Sequence, residues 1–421
     1  MNTLRSMKKC VVLGSGIQGL SAAYYLSEAG HQVSIIDPHK EYQGASWVNA
    51  GYLTPSHIIT IANPKTLANG IKWMFRSDSP FYMKPRWEID FIRWLWEFYR
   101  SATPEKVANA IGPIEAINLL SKQCYEKIHQ ELTIGTFQLD QRGLLMLYKT
   151  TAAEKSETAV ALRAQSDGLG VSFLDRHQLE KIQPGINKEV KGAIHYTCDA
   201  HTTPPEIMRL LTQHLKNKGV SWVHDPLDRW EVNQDRITAI HTTTNTYKAD
   251  YFVVAAGVWS KDLLKRAGIH LSLEAGKGYS MDVHRPHPIK YPAILMEPKC
   301  AITPMEGWAR FAGTMELSGN NHRIRPERVK AIASAVSAYY DNFELNTSEM
   351  EQARCGLRPV SPDGLPLIGP TEKYPNLMVA TGHAMMGWSL GPGTGKLIQQ
   401  CIDQEPTSID LTPFNPNRTF Y

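Results

Sequence analysis

Cysteine is scarce and unpatterned in this sequence. Six cysteines are scattered over 421 residues, at positions 10, 124, 198, 300, 355 and 401, and no two stand in Cys-x-x-Cys spacing. That spacing excludes a zinc ribbon and argues against a disulfide framework, so a reducing, cytoplasmic setting is expected and no metal site is. No apolar run reaches the roughly 18 residues that a membrane-crossing helix needs. The first apolar run is too short for a signal-peptide core. Charge of either sign is in little excess. The formal net charge is +4 with no concentrated basic tract, which removes nucleic acid as an expected partner. Internal repeats and low-complexity tracts are also missing. What remains is 42% hydrophobic and 20% charged, the balance of a globular chain long enough for two domains.

Against that plain background one motif stands out. The run Cys10-Val11-Val12-Leu13 leads into Gly14-Ser15-Gly16-Ile17-Gln18-Gly19, then a helical pattern to Ala29, then a second apolar run ending at Asp37. The order is strand, glycine turn, helix, strand, acid. Gly14 permits the tight turn, Gly16 lets a pyrophosphate approach the backbone, and Gly19 lets helix and strand pack closely. The helix N-terminus faces the phosphates. Asp37 lies about 20 residues beyond the turn, where a carboxylate accepts hydrogen bonds from a ribose diol, and no arginine follows it to hold a 2′-phosphate. A bound dinucleotide is the expectation.

Further along, helices are expected over 67–103, 105–132, 151–168, 204–218, 326–343 and 396–402. Strands are expected over 143–148 and 171–174. The segments 220–223, 229–232, 237–243 and 247–250 alternate like antiparallel strands. The continuous apolar run Tyr251 to Ala256 suits a parallel strand buried on both faces, with Gly257 as its stop. Leu377–Ala380 reads as a last strand before the glycine-rich stretch 387–395. Trp87 to Tyr99 is apolar all round its helix. Such helices are usually buried, and contact with a membrane surface or a quinone partner is the other reading. The nucleotide-binding unit comes first, but a second dinucleotide-type strand near 253 and another glycine-to-helix turn near 391 imply a domain assembled from distant pieces, unlike a simple NAD dehydrogenase.

The turn at Gly14–Gly30, the run Val253–Gly257 and the segment Gly356-Leu357-Arg358-Pro359-Val360-Ser361-Pro362-Asp363-Gly364 to Gly369 together resemble the FAD-dependent D-amino-acid oxidase superfamily. Ser46–Gly51, Lys72–Phe75, Gly276–Ser280, Gly313–Glu316 and Thr381–Trp388 bring the resemblance nearest to the bacterial D-amino-acid dehydrogenases. It spans nearly the whole chain and is weak on substrate. The implied fold is α/β: a Rossmann-like FAD-binding domain of residues 1–60, 192–270 and 346–421, plus a mixed-sheet α+β substrate domain of residues 61–191 and 271–345.

The resemblance also assigns roles. Ser46, Asn49, Ala50 and Gly51 would line the flavin and its phosphates, joining Gly14, Ser15, Gly16, Ile17, Gln18, Gly19 and Asp37. Ala256 and Gly257 would contact FAD, and Val223 would offer backbone contact to adenine. Gly387, Trp388 and Ser389 would present N–H groups to the flavin pyrimidine edge, where reduced flavin carries negative charge. Arg358 would hold the substrate carboxylate, because a planar guanidinium pairs with it through two parallel bonds. Tyr279 and Tyr52 would orient carboxylate or amine, and His383 would contact the isoalloxazine or shape the site. Cys355 raises covalent flavin attachment, although a buried apolar cysteine is the stronger reading.

The implied activity is oxidative deamination of D-amino acids with electrons passed to a quinone or other carrier. Oxidation of secondary amines such as glycine, sarcosine or proline is the alternative, and a flavin-bearing electron-transfer subunit is a third. The expected setting is cytoplasmic, or peripheral on the inner face of the membrane.

Overall fold

The structure, a computed structural model, describes residues 6–39, 44–64 and 80–420. The motif Lys72–Phe75 and the first part of the helix expected over 67–103 lie outside the described residues.

A six-stranded sheet carries the glycine turn. Its order is Ser221–Val223, Gln32–Ile36, Lys9–Leu13, Tyr251–Val254, Leu377–Thr381 and Leu367–Pro370. The first five strands are parallel, and only the edge strand Leu367–Pro370 runs antiparallel. Alternation explains the apolar runs. Cys10, Val12, Val253, Met378 and Ala380 face a helical layer, whereas Val11, Leu13, Phe252, Val254, Leu377 and Val379 face the opposite core. Both faces are covered, so every position must be apolar. The helical layer comprises Ile17–Glu28, Pro104–Gln130, Pro204–Asn217 and Gly391–Asp403. The opposite face is covered by the antiparallel sheet Leu227–Asn233, Arg236–Thr242 and Thr246–Lys248.

A nine-stranded mixed sheet forms the second body. Its path runs Arg354–Val360, Glu274–Val283, Trp308–Leu317, Cys300–Met305, Ala293–Leu295, Leu144–Tyr148, Gly192–Tyr196, Val171–Asp175, with Phe81–Met83 paired to Trp308–Leu317. Helix Pro326–Tyr339 packs into its core. A small sheet of Tyr52–Leu53, Ala200–Thr202 and Leu139–Asp140 completes the strand pairing.

Four expectations need correction. Ser221–Val223 is parallel to Gln32–Ile36, not part of the antiparallel set; three residues are too few to display which face is buried. The segments 192–270 and 346–421, expected in the FAD-binding domain, also supply the strands Gly192–Tyr196 and Arg354–Val360, which pair in the larger sheet. The glycine-rich stretch is mostly helix, from Gly391 onward. A Cβ at Gly391 would press on Ile17, and one at Gly395 on the Ser21 backbone, so these glycines set the close approach of two helices. Finally, Phe81–Met83 is a strand, and Ile89–Ser101 is a surface helix. Phe91 and Trp94 face inward onto Met315, Leu317 and Val360. Trp87, Ile89, Ile92, Trp96 and Tyr99 are exposed, Trp87 by 91%. The helix is apolar all round because it has two apolar stripes and only one of them is packed.

Candidate active site

One continuous cavity of about 1270 Å³ runs between the two bodies. Its lining includes Asp37, His39, Trp222, Pro226 and Leu263, the glycine turn with Ala256 and Gly257, and Arg358, Tyr279, His383 and Trp388. Ser56, His57, Ile58, Ile61, Ile111, Met146 and Met296 line the same space.

The turn is built from backbone. Gly14 has φ +110°, and a Cβ there would lie 2.6 Å from the Ala255 carbonyl oxygen. A Cβ at Gly19 would overlap the Gly14 carbonyl. The Ser15 amide and hydroxyl donate to one Asp37 carboxylate oxygen at 2.8 and 2.7 Å, and the His39 amide donates to the other at 2.9 Å. Asp37 thus ties the turn to the end of the second strand and keeps lone-pair capacity for a further donor. The Ile17 amide, at the helix N-terminus, donates to Ser46 Oγ at 3.0 Å.

The loop 44–51 is clamped by a residue that the sequence reading missed. Arg310, fully buried, donates to the Trp47 and Asn49 carbonyls at 3.0 and 2.7 Å and forms a two-pronged pair with Asp282 at 2.7 and 2.9 Å. The only signal was a lone arginine among apolar residues of one strand. Thr303 Oγ1 donates to the Ala50 carbonyl at 2.8 Å, and Asn49 accepts from the Gly51 amide at 2.9 Å.

Arg358 projects from strand Arg354–Val360 into the cavity. One of its terminal nitrogens donates to the Thr314 carbonyl at 2.9 Å. Among the described residues no carboxylate lies within ion-pair distance of it. Burial pulls its guanidinium down to about 10, which leaves it charged at neutral pH. Gly276 is its partner across the strand pair, and the guanidinium lies over Gly278 two residues further on, where any Cβ would overlap it. His383 is 1% exposed; burial drives its imidazole down to about 3, so it is neutral. Its Nε2 sits 3.0 Å from Thr394 Oγ1. Its Nδ1 and the Gln18 Oε1 are buried with no protein partner, and both residues line the cavity.

Several expected residues turn out otherwise placed. The Tyr279 ring lines the cavity, but its hydroxyl donates to Glu316 at 2.6 Å, within a buried cluster with Lys277. The Tyr52 hydroxyl lies 2.9 Å from both the Ala293 and Ile302 carbonyls. Each hydroxyl gives its one proton to a buried acceptor of the larger sheet, so neither donates to a substrate carboxylate in this arrangement. Val223, Gly19 and Gly51 are not on the wall. The Val223 carbonyl accepts from the Asp37 amide at 3.0 Å, and Trp222 takes the place at the cavity. Cys355 is also off the wall, its thiol directed to the His322 carbonyl at 3.4 Å. Ser46, Asn49, Ala50, Ala256, Gly257, Gly387, Trp388 and Ser389 do line it. The Trp388 indole donates to Thr202 Oγ1 and the Ser389 hydroxyl to Asn118, at 2.8 and 2.7 Å.

A glycine turn opening on a cavity, with a neutral imidazole and a guanidinium that has no acid partner among the described residues, describes a dinucleotide-dependent oxidoreductase. The chain belongs to the FAD dependent oxidoreductase family, which it matches over residues 9–400. It is 30% identical over 416 residues to a D-amino acid dehydrogenase of Granulibacter bethesdensis, covering 96% of this chain and 97% of the relative. A second relative of that name, from Helicobacter pylori, is 28% identical over 93% of this chain and 94% of its own. Among solved structures, glycine oxidase from Geobacillus kaustophilus superposes with a TM-score of 0.78 at 20% identity, over 98% of this chain and 99% of that one. L-proline dehydrogenase from P. horikoshii gives 0.72 at 16% identity, over 98% of each chain.

FAD is the cofactor of this family, and the residues here fit it. The turn admits no side chain at Gly14 or Gly19, and the cavity wall carries buried polar atoms without protein partners. Among the described residues no helix is long and apolar enough to cross a membrane, and no cluster of side chains could hold a metal ion.

Proposed function

We propose that the protein oxidises D-amino acids to imino acids, which hydrolyse to oxo acids, and passes the electrons to an acceptor other than oxygen. The observation that carries this is Arg358, a cavity-facing guanidinium with a carbonyl partner but no acid partner among the described residues. A carboxylate-bearing substrate supplies what it lacks.

Gly14 to Gln18, Asp37, Ser46, Asn49, Ala50, Ala256, Gly257 and Gly387 to Ser389 would hold FAD. When bound, FAD supplies a hydride acceptor for the substrate Cα–H. Arg358 grips the carboxylate, and the Thr314 carbonyl fixes the plane of the guanidinium. Neutral His383 adds a hydrogen-bonding edge without a competing charge. Ile58, Ile61, Met146 and Met296 exclude water around the substrate side chain, and that desolvation favours the neutral amine whose lone pair assists the departure of the α-hydrogen. Orientation of this kind supplies much of the rate, so a strong protein base at Cα is not required.

The test is anaerobic mixing with D-alanine, D-proline, L-alanine, glycine and sarcosine while flavin absorbance is followed. Bleaching by D-amino acids and not by L-alanine is expected. Faster bleaching by glycine or sarcosine would move the assignment to secondary and achiral amines, and flavin that stays oxidised with all of them overturns the reading. Oxygen uptake against quinone-analogue reduction then decides the acceptor.

The exposed stripe of helix Ile89–Ser101 supports a contact with an anionic membrane surface, where such an acceptor dissolves. Trp87, Ile89, Ile92, Trp96 and Tyr99 stand out from the surface beside exposed Lys84, Arg93 and Arg100. Aromatic anchors with basic neighbours suit the headgroup region. Flotation with phosphatidylglycerol vesicles should recover the protein, and Trp87→Ala/Trp96→Ala should release it. Equal recovery of both refutes the contact.

A further inference from the structure

Asp199 is completely buried and immediately precedes strand Ala200–Thr202. That strand pairs with Tyr52–Leu53, Leu53 opposite Ala200, so the chain leaving Leu53 runs alongside Asp199. The Ser56 amide and hydroxyl donate to the two Asp199 carboxylate oxygens at 3.1 and 2.6 Å. Ser56 Oγ lies 3.4 Å from His57 Nδ1. Ser56 and His57 line the cavity, whereas Asp199 lies behind them. The segment is fixed to the flavin-side wall by the Thr54 amide, which donates to Ser389 Oγ at 3.1 Å.

A hydroxyl carries one proton, and this couples the three groups. With Asp199 ionised, the Ser56 proton points to it, so Ser56 Oγ can only accept from His57. The imidazole must then carry its proton on Nδ1 and leave Nε2 an acceptor. With Asp199 protonated, the carboxyl donates to Ser56, the Ser56 proton turns to Nδ1, and Nε2 carries the hydrogen. The two states differ by one proton carried from Nε2 to the buried carboxyl.

We infer that His57, Ser56 and Asp199 form a proton relay that draws off the proton an ammonium substrate must lose in the cavity, and stores it on Asp199. This rests on the amine-oxidising reading for the source of the proton. An N–H bond of the ammonium breaks as His57 Nε2–H forms. Nδ1–H breaks as a new Ser56 O–H forms, and the original Ser56 O–H breaks as Asp199 O–H forms. No electrons change hands. Burial sets the direction. It raises the Asp199 carboxyl to about 7 and lowers His57 to about 4, so near neutrality the proton rests on the carboxyl and not on the ring. Burial raises the neighbouring Cys198 thiol and Tyr196 phenol far above neutrality, so neither titrates alongside the pair. The Cys198 thiol is 3.5 Å from Asp199, and Lys122, bonded to the Cys198 carbonyl at 2.8 Å, favours the carboxylate. Tyr196 lies near Asp199, with its hydroxyl donated to Glu157 at 2.8 Å. Lys299 disfavours a charged His57.

The test is made on the FAD-loaded enzyme. Imidazole nitrogen NMR without substrate should show His57 changing tautomer, not charge, with a midpoint near pH 7. Asp199→Asn and Ser56→Ala should abolish that change, and Ser56→Thr should keep it. In anaerobic reduction by D-alanine, Asp199→Asn should slow the flavin step roughly hundredfold at pH 7. The deficit should shrink at a pH where the amine is already neutral. A wild-type His57 tautomer that is constant from pH 5 to about 9, or an Asp199→Asn deficit equal at every pH, overturns the relay. Because the tautomer is read without substrate, failure of the relay and failure of the amine-oxidising reading show separately.

Discussion

Removing the Arg358 guanidinium should damage substrate binding far more than the fold. The guanidinium carries one protein hydrogen bond, to Thr314, and no carboxylate partner among the described residues, so Arg358→Ala strands no buried acid in the free protein. In the complex it deletes a pair of charge-assisted bonds and leaves the substrate carboxylate in a largely apolar cavity. Truncating one partner of such a desolvated pair costs about 3–5 kcal/mol. At about 1.4 kcal/mol per decade, that is a loss of two to three and a half decades, roughly 10²- to 4 × 10³-fold, in kcat/KM. Arg358→Lys keeps the charge but loses the fork, and should recover about one decade. Gly278→Ala approaches the same point from the facing strand, because its Cβ would overlap the guanidinium and displace it. The assay is binding of a non-reducible short carboxylate, read as a perturbation of the flavin spectrum, beside steady-state kinetics on D-alanine. Flavin content and melting temperature serve as controls. Arg358→Ala and Gly278→Ala proteins that keep their flavin and bind the carboxylate as tightly as the parent would refute the anchor.

Gly14→Ala should lose FAD, since it combines φ +110° with a Cβ 2.6 Å from the Ala255 carbonyl; flavin content after gel filtration checks this. Lys277→Met leaves Glu316 buried without its cation, the two side chains being 1% and 2% exposed, and should cost about 3–5 kcal/mol in denaturant unfolding. Lys277→Met/Glu316→Leu should recover much of that. Burial alone would raise the Glu316 carboxyl, but hydrogen bonds from Ser318, Tyr279 and Lys277 outweigh it and hold it below its ordinary 4.5. Its contribution is therefore full above pH 4.5 and fades as pH falls through the folded value, an acid limb that Glu316→Gln should flatten in pH-dependent melting.

The nucleotide sheet was legible because its strands are buried on both faces, so Cys10–Leu13, Tyr251–Val254 and Leu377–Thr381 read as unbroken apolar runs. The turn was legible because only glycine fits at Gly14 and Gly19. The edge of that sheet was not, as Ser221–Val223 is too short to show a period. A tyrosine in a motif reads as a ligand until its hydroxyl is traced, and the hydroxyls of Tyr52 and Tyr279 go to carbonyls and to Glu316. Arg310 and Asp199 were invisible for a different reason. The Asn49 carbonyl that Arg310 clamps and the Ser56 that donates to Asp199 lie 261 and 143 residues away in sequence, joined only when strands from separate segments pair.

Thr314 makes the geometry around Arg358 testable from the backbone. Between the pairs Lys277–Glu316 and Tyr279–Gly313, the single residue Gly278 faces two, Thr314 and Met315, a bulge in the ladder. Thr314 takes φ +69° there, a conformation that a β-branched residue adopts at a cost of order 1–3 kcal/mol. The bulge turns the Thr314 carbonyl onto the guanidinium, and the glycine opposite leaves room for it. Strain of this kind persists only where the surroundings impose it. Thr314→Gly should therefore stabilise the fold by about 1 kcal/mol, through release of the unfavourable φ, offset in part by the greater freedom of glycine in the unfolded chain. The same substitution should loosen the carbonyl that orients Arg358 and weaken carboxylate binding about tenfold. Stability that rises while affinity falls is the signature of strain held for function. Affinity unchanged in Thr314→Gly would mean that the bulge serves the sheet alone.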